Sequence, residues 1–210
     1  AREDAAGMIE GYPWRGPAAA VHAMEPYIFG KVVCDLGCGG GDLAWLMGRW
    51  AARVIGIEVD RKRYVRAIRT ERIRGRSLPL RDIKNVTIEK QDYFKNGVPD
   101  VDVYYFWPND SNMLTNLMDL FESKVAGRNP SVPRPFLIIA GGRPGFLDSE
   151  KEGETFFNGG ATRRCHLLKY VDIYDGEVIR VPFHENSELS NWPDEDEWCL
   201  CIIPMGGAKL

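Results

Sequence analysis

The stretch KVVCDLGCGGGDLAWLMGRWAARVIGIEVD, residues 31 to 60, constrains this chain more than any other. Val32, Val33, Cys34 and Leu36 form an apolar run that fits a buried strand, and Gly37, Gly39, Gly40 and Gly41 follow it at once. Leu43, Leu46, Met47 and Trp50 then recur at the i, i+3, i+4, i+7 spacing of one helix face. Val54 to Val59 reads as a second short strand, with Glu58 and Asp60 at its end. Two strands joined through a helix lie parallel, so the stretch predicts a βαβ unit with a glycine turn at the carboxyl end of its first strand.

Where a parallel strand ends and a helix begins, glycines let the backbone bend sharply and expose amides to a ligand. An acid at the end of the next strand can accept hydrogen bonds from a ribose diol. Spacing narrows the choice of nucleoside. Counting from Gly37, a dinucleotide fingerprint would need a glycine where Asp42 stands. A phosphate-cradling loop would need Gly-Lys-Ser/Thr, and no lysine or hydroxyl lies between Gly37 and Gly48. Asp35 and Asp42 would also repel a pyrophosphate. Both phosphate readings are weakened.

These residues carry a family resemblance. Asp35-Leu36-Gly37-Cys38-Gly39-Gly40-Gly41 resembles motif I, D-x-G-x-G-x-G, of the class I S-adenosylmethionine-dependent methyltransferases. Gly56-Ile57-Glu58 resembles the family's acidic end of strand 2, Gln91-Asp92-Tyr93-Phe94 its acid-bearing turn after strand 3, and Asp102-Val103-Tyr104-Tyr105-Phe106 its fourth strand. The resemblance implies a Rossmann-like α/β three-layer sandwich with a seven-stranded, mostly parallel sheet and an antiparallel closing strand. It implies S-adenosyl-L-methionine as cofactor, S-adenosyl-L-homocysteine as product, and no metal. A cationic sulfonium without phosphate also tolerates nearby carboxylates. By the same resemblance, Gly37, Cys38, Gly39 and Gly41 line the methionine and ribose path. Glu58 binds the ribose, Asp92 with Tyr93 receives the adenine, and Asp35 organises the glycine loop and reaches the cofactor's amino group through water.

A chain of 210 residues, 44% hydrophobic, is expected to form one domain. We divide 1–210 into an entrance segment (1–30), a cofactor-binding core (31–147) and a part carrying the last strands and a substrate-side insert (148–210). The formal charge of −3 predicts no bulk attraction to nucleic acid or anionic membrane. That average hides ten Lys/Arg against Glu71 and Asp82 at 61–84, and six acids without a base at 185–197. Such blocks are more often solvated faces or each other's long-range partners than binding sites. Cys34, Cys38, Cys165, Cys199 and Cys201 make no C-x-x-C pair or zinc spacing, as expected of free thiols in a reducing compartment. With no run near the ~20 apolar residues a bilayer demands, the chain is expected to be soluble and cytoplasmic.

Further elements follow in order. Helices are predicted at Ala18–Tyr27, at Arg61–Arg76 with Val65, Ile68 and Tyr64 inward, and at Asn112–Val125. Strands are predicted at Asn85–Glu89, Asp102–Trp107 and Phe136–Ala140. Leu167–Ile173 and Val178–Val181 read as a hairpin around Asp175-Gly176, and Trp198–Ile203 as a last strand. After the fourth strand, where the family places substrate chemistry, stands Phe106-Trp107-Pro108-Asn109-Asp110. Enzymes that methylate nucleobase amines carry Asn/Asp-Pro-Pro-Tyr/Phe there, which this run matches poorly. Asn109 and Asp110 are the candidates to orient a nucleophile, with Trp107 as an apolar or cation–π wall; Asn109-Asp110-Ser111 also reads as a helix cap. Tyr12 and Trp14 are the candidates to line the substrate mouth, or else cover the sheet's edge.

Three functions are compatible with these features. The first is methyl transfer to a small-molecule acceptor, driven by proximity and orientation. The second is methyl transfer to a macromolecule, either a protein side chain or RNA held by the 61–84 arginines. The third is a partner-activating module that binds the cofactor without turning it over. Oligomeric state is not readable from the sequence.

Overall fold

Asp102, just before a strand, accepts a hydrogen bond through Oδ2 from the Val32 amide at 2.8 Å, so two distant segments start in register. The computed structural model describes residues 15–74, 83–107, 111–126, 133–142, 167, 169–182 and 197–205. Its elements run α1 (Arg15–Ile28), β1 (Val32–Leu36), α2 (Asp42–Met47), β2 (Arg53–Glu58), α3 (Arg61–Arg74), β3 (Val86–Lys90), α4 (Tyr93–Asn96), β4 (Val103–Phe106), α5 (Ser111–Ala126), β5 (Phe136–Gly142), β6 (Glu177–Pro182) and β7 (Glu197–Pro204). The seven strands lie in the order β3-β2-β1-β4-β5-β7-β6. All pairings among β1 to β5 are parallel, and β7 runs antiparallel to both β5 and β6. This is the mostly parallel sheet with one antiparallel closing strand that the sequence predicts.

The chain steps outward from β1 to β2 and β3, then returns to place β4 on the other side of β1. The strand order thus reverses between β1 and β4, and in open α/β sheets ligands bind at the carboxyl edge of such a switch point. Strand alternation divides the core in two. Val33, Val103 and Tyr105 face α1 and α2, with Val21, Met24, Trp45 and Leu46 packed on them. Cys34, Leu36, Tyr104 and Phe106 face the opposite layer, with Leu114, Leu117, Met118 and Phe121 of α5.

The predicted hairpin at Leu167–Ile173 is overturned. Residues 169–173 are helical, and β6 pairs with β7 instead. Leu167, Val171 and Tyr174 are buried at spacings of four and three, one helix face rather than an alternating strand. The Tyr174 amide donates to the Tyr170 carbonyl at 3.1 Å, and the Gly176 amide to the Val171 carbonyl at 2.8 Å. Asp175-Gly176 therefore ends a helix, with Asp175 at φ 55°. Any side chain at Gly176 would stand 2.5 Å from the Ile202 carbonyl oxygen.

Two helical details also differ. α2 ends at Met47, so Trp50 lies in the following turn, where Asn85 Nδ2 donates to the Gly48 and Ala51 carbonyls at 3.0 and 2.7 Å. Among the described residues of α3 the buried one is Ala67, whereas Val65 is 37% exposed. Gly41 explains why: a Cβ there would lie 3.2 Å from the Ala67 Cβ, so the helix approaches the glycine turn closely and only small residues fit between. Cys34, Cys38 and Cys201 are buried. No described helix is long and apolar enough to cross a membrane.

Candidate cofactor-binding site

The glycine turn is suspended from β2. The amides of Gly37 and Cys38 both donate to the Ile57 carbonyl, at 2.8 and 3.0 Å, and the Gly41 amide donates to the Cys38 carbonyl at 2.9 Å. Gly37 and Gly39 have φ of 74° and 56°, in the left-handed region that favours glycine. Side chains built on either would meet nothing within 4 Å, so the turn presents open space at the carboxyl edge. Cys38 turns the other way. Its Sγ would lie 3.0 Å from a Cβ on Gly56, so the thiol packs under the loop. Burial first, and then the Asp35 and Glu58 charges, push that thiol up.

Glu58, at the end of β2, is 3% exposed. Its Oε2 accepts from the Gly39 amide at 2.9 Å and its Oε1 from the Asp60 amide at 2.8 Å. Glu58, rather than Asp35, is thus the side chain that bonds the glycine loop. A carboxylate has about four lone-pair positions, so two further hydrogen bonds are open to it. Asp60 Oδ1 accepts from the Arg63 amide at 2.8 Å, which caps α3 beside the site.

Asp92 lies at the start of α4, two residues past β3. Its Oδ1 accepts from the Phe94 amide at 3.1 Å, and Lys95 Nζ lies 3.5 Å from its other oxygen. The adjoining Tyr93 is a core residue; burial first, then Asp92, pushes its hydroxyl up to about 12. The surface apolar groups here are Phe94, 43% exposed with its ring 4.6 Å from that of Tyr93, and Val59, 58% exposed beside Glu58. Val59 escaped sequence reasoning, because it reads as the last residue of a buried strand.

Asp35 is 2% exposed, and its Oδ2 has no hydrogen-bond partner. Burial first, and then repulsion from Glu58, push its carboxyl up to about 7. Two acidic side chains thus lie buried directly under the glycine turn; the Glu58 charge disfavours an anion there, and a nearby cation would favour ionisation of Asp35. Among the described residues no group of three or more His, Cys, Asp or Glu side chains could hold a metal ion.

The acceptor side is less complete. Trp107 is half-buried at the end of β4 and packs against the α1/α2 core. Tyr12, Trp14, Asn109 and Asp110, and the insert at 148–165, lie outside the described residues. The structure therefore brings together Asp35, Gly37, Cys38, Gly39, Gly41, Glu58, Asp92 and Tyr93 at the carboxyl edges of β1, β2 and β3. Trp107 stands at the neighbouring edge of β4.

No family model matches the sequence, and no curated protein matches it by sequence. Solved structures do match in fold. One is a precorrin-6y C5,15-methyltransferase from Geobacter metallireducens GS-15, at 11% identity and TM-score 0.55, covering 94% of this chain and 92% of that one. A SAM-dependent methyltransferase from Aquifex aeolicus matches at 15% identity and TM-score 0.54, over 88% of this chain and 87% of its own. An rRNA methylase from Streptococcus thermophilus matches at 10% identity and TM-score 0.51, over 94% and 99%. The chain has the Rossmann-like fold of class I methyltransferases. Since 1074 solved chains match it, the fold by itself selects no substrate.

Proposed function

We propose that this protein binds S-adenosyl-L-methionine and transfers its methyl group to a small-molecule acceptor. The observation that carries the reading is the acid-lined glycine turn, where Gly37 and Gly39 open onto free space above the buried carboxyls of Asp35 and Glu58. Phosphate-bearing nucleotides are disfavoured there by charge, and a sulfonium nucleoside is favoured. When bound, the cofactor supplies an electrophilic methyl group on a positively charged sulfur. The chain's own work is then to hold and orient. The free lone pairs of Glu58 receive the ribose hydroxyls, Asp92 accepts from the adenine amino group, and Phe94 and Val59 offer apolar surface to the ring. Trp107 walls the acceptor side, with Asn109 and Asp110 as the groups to align the nucleophile and Tyr12 and Trp14 as the mouth. Orientation of this kind supplies much of the rate when the electrophile is already activated.

A second reading, a polyanionic macromolecular acceptor such as RNA, is favoured by one observation. Arg61, Lys62, Arg63, Arg66 and Arg69 are exposed on α3, and the Arg66 Nε would lie 3.4 Å from a Cβ on Gly40. The basic face thus reaches the glycine turn rather than lying wholly behind it. Binding to RNA that falls steeply with salt would favour this acceptor over a small molecule.

Isothermal titration with S-adenosylmethionine and with S-adenosylhomocysteine tests the core of the proposal. Micromolar binding of both is expected, followed by methyl transfer to an acceptor found by screening extracts. Absence of binding to either would overturn the cofactor reading. Binding without turnover against every acceptor class would leave a cofactor-binding partner subunit as the better description.

A further inference from the structure

Lys84, Arg53 and Lys31 stand at the amino ends of three adjacent strands. Lys31 directly precedes β1, Arg53 opens β2, and Lys84 lies just ahead of β3. All three are exposed, and none makes an ion pair with a described residue. The backbone ties them into one row. The Lys31 carbonyl accepts from the Ala52 and Arg53 amides at 2.8 and 3.4 Å, and the Asn85 carbonyl from the Val54 amide at 2.8 Å. Neighbouring strands are ~4.8 Å apart, so the three cations begin from a row about 10 Å wide along the sheet's amino edge. The row stops at β4, where Asp102 precedes the strand and turns one oxygen to the Val32 amide.

Beside this row lies the most exposed large apolar side chain among the described residues, Phe29, at 68%. It is held in place. The Phe29 amide donates to the Glu25 carbonyl and the Gly30 amide to the Trp50 carbonyl, both at 2.9 Å. Trp50, half-buried, carries the exposed Arg49 guanidinium 5.0 Å from its ring centre, and the His22 ring lies 6.2 Å away. The acid nearby on α1 is Glu25, 3.3 Å from His22. A lone exposed phenylalanine is ordinary on a protein surface. A fixed one, bordered by a guanidinium stacked on an indole and by a row of cations, offers both π-faces and positive charge to the same partner.

We infer that this amino-edge surface binds single-stranded nucleic acid, with phosphates on Lys31, Arg53 and Lys84 and bases stacked on Phe29 and on the Arg49 guanidinium over Trp50. An acidic peptide would satisfy the cations and leave Phe29 bare. An anionic membrane would find one ring to bury, because Trp50 packs against the α1/α2 core. With a whole-chain charge of −3, attraction to a polyanion has to come from a local patch of this kind. β1, five residues long, separates the surface from the glycine turn by roughly 16 Å. It is therefore a docking surface rather than the acceptor site, and it stands independently of the cofactor reading.

The test is fluorescence anisotropy of a short, labelled single-stranded RNA of mixed sequence with the full chain. Saturable binding is expected, about 20-fold weaker at ~200 than at ~50 mM salt, since three phosphate contacts on a single strand give a slope near −2. Phe29→Ala should weaken binding about ten-fold, the loss of one base-aromatic stack, and leave the melting temperature unchanged because the side chain is exposed. Lys31→Gln combined with Arg53→Gln should flatten the salt dependence to about three-fold over the same range. No binding by the wild type, or binding that none of these substitutions changes, overturns the surface. RNA binding lost instead in Arg63→Gln with Arg66→Gln would move the contact to α3. Phe29-dependent capture by phosphatidylserine vesicles without RNA binding would make it a membrane contact. Either of those results also overturns the proposal.

Discussion

Tyr104 and Tyr105 are consecutive on β4, both are buried, and they enter opposite layers. On the α5 side, the Tyr104 hydroxyl donates to the Pro99 carbonyl at 2.5 Å, and Lys124 Nζ donates to the Val98 carbonyl at 3.0 Å nearby. On the α1/α2 side, the Tyr105 hydroxyl bonds nothing, and neither do Trp45 Nε1 and Asp35 Oδ2. Among the described residues, no buried side-chain polar atom of the first layer lacks a hydrogen-bond partner. The second holds three buried polar atoms without a hydrogen-bond partner, each at a cost of roughly 1–3 kcal/mol.

That contrast can be broken most directly at Asp35. Its carboxyl is pushed up to about 7 by burial and by Glu58, while the unfolded chain returns it to the ordinary range near 4. Between about pH 4 and pH 7 the native state therefore holds a proton that the unfolded state has lost, and stability falls as pH rises through that window. Asp35→Asn removes the ionisation. It should stabilise the ligand-free protein at pH 8 by on the order of 2–4 kcal/mol, with the gain shrinking towards pH 4. Thermal melts of both proteins across pH 4–8 check this, and parallel curves would mean that Asp35 does not titrate as buried.

Glu58 distinguishes matched from unmatched within the site, since it already bonds two loop amides. Glu58→Ala should weaken S-adenosylmethionine binding by roughly 1–3 kcal/mol and also loosen the Gly39 turn. Calorimetry showing unchanged affinity would remove Glu58 from the site. The smallest effect sharpens the comparison of the two tyrosines. Tyr104→Phe orphans the Pro99 carbonyl and should cost about 1 kcal/mol in denaturant unfolding, whereas Tyr105→Phe should cost nothing or stabilise slightly. Equal losses would erase the difference between the two layers.

Much of this site was legible in the chain as written. The run from Val32 to Glu58 shows its strand, turn, helix and strand through spacing alone, and the strands at Val86–Lys90, Val103–Phe106 and Phe136–Gly142 appear within a few residues of where their apolar runs predict. The misreading at Leu167–Ile173 has a local cause. In a short run of Leu, Tyr, Val and Ile, propensity favours a strand, and only packing against the α5 layer selects the helix. Trp45 and Tyr105 were illegible for a different reason. Both read as ordinary core residues, and no periodicity reports whether a buried N–H or O–H has found a partner. Glu58 was legible as the acid at the end of β2, but its hold on the Gly39 amide emerges only when β1 and β2 are laid side by side.

The sequence by itself determined the parallel βαβ unit, the glycine turn and the acid that closes it, because these follow from backbone conformational limits and spacings over a few tens of residues. Tertiary structure decided which helix layer each tyrosine entered, that β7 rather than a hairpin closes the sheet beside β5, and that Asp35 lies buried between Gly56 and Tyr105. Those outcomes depend on strands that meet in space from distant parts of the chain. The burial and charge they impose, not the residue types alone, leave an oxygen of Asp35 and the hydroxyl of Tyr105 enclosed without a hydrogen-bond partner.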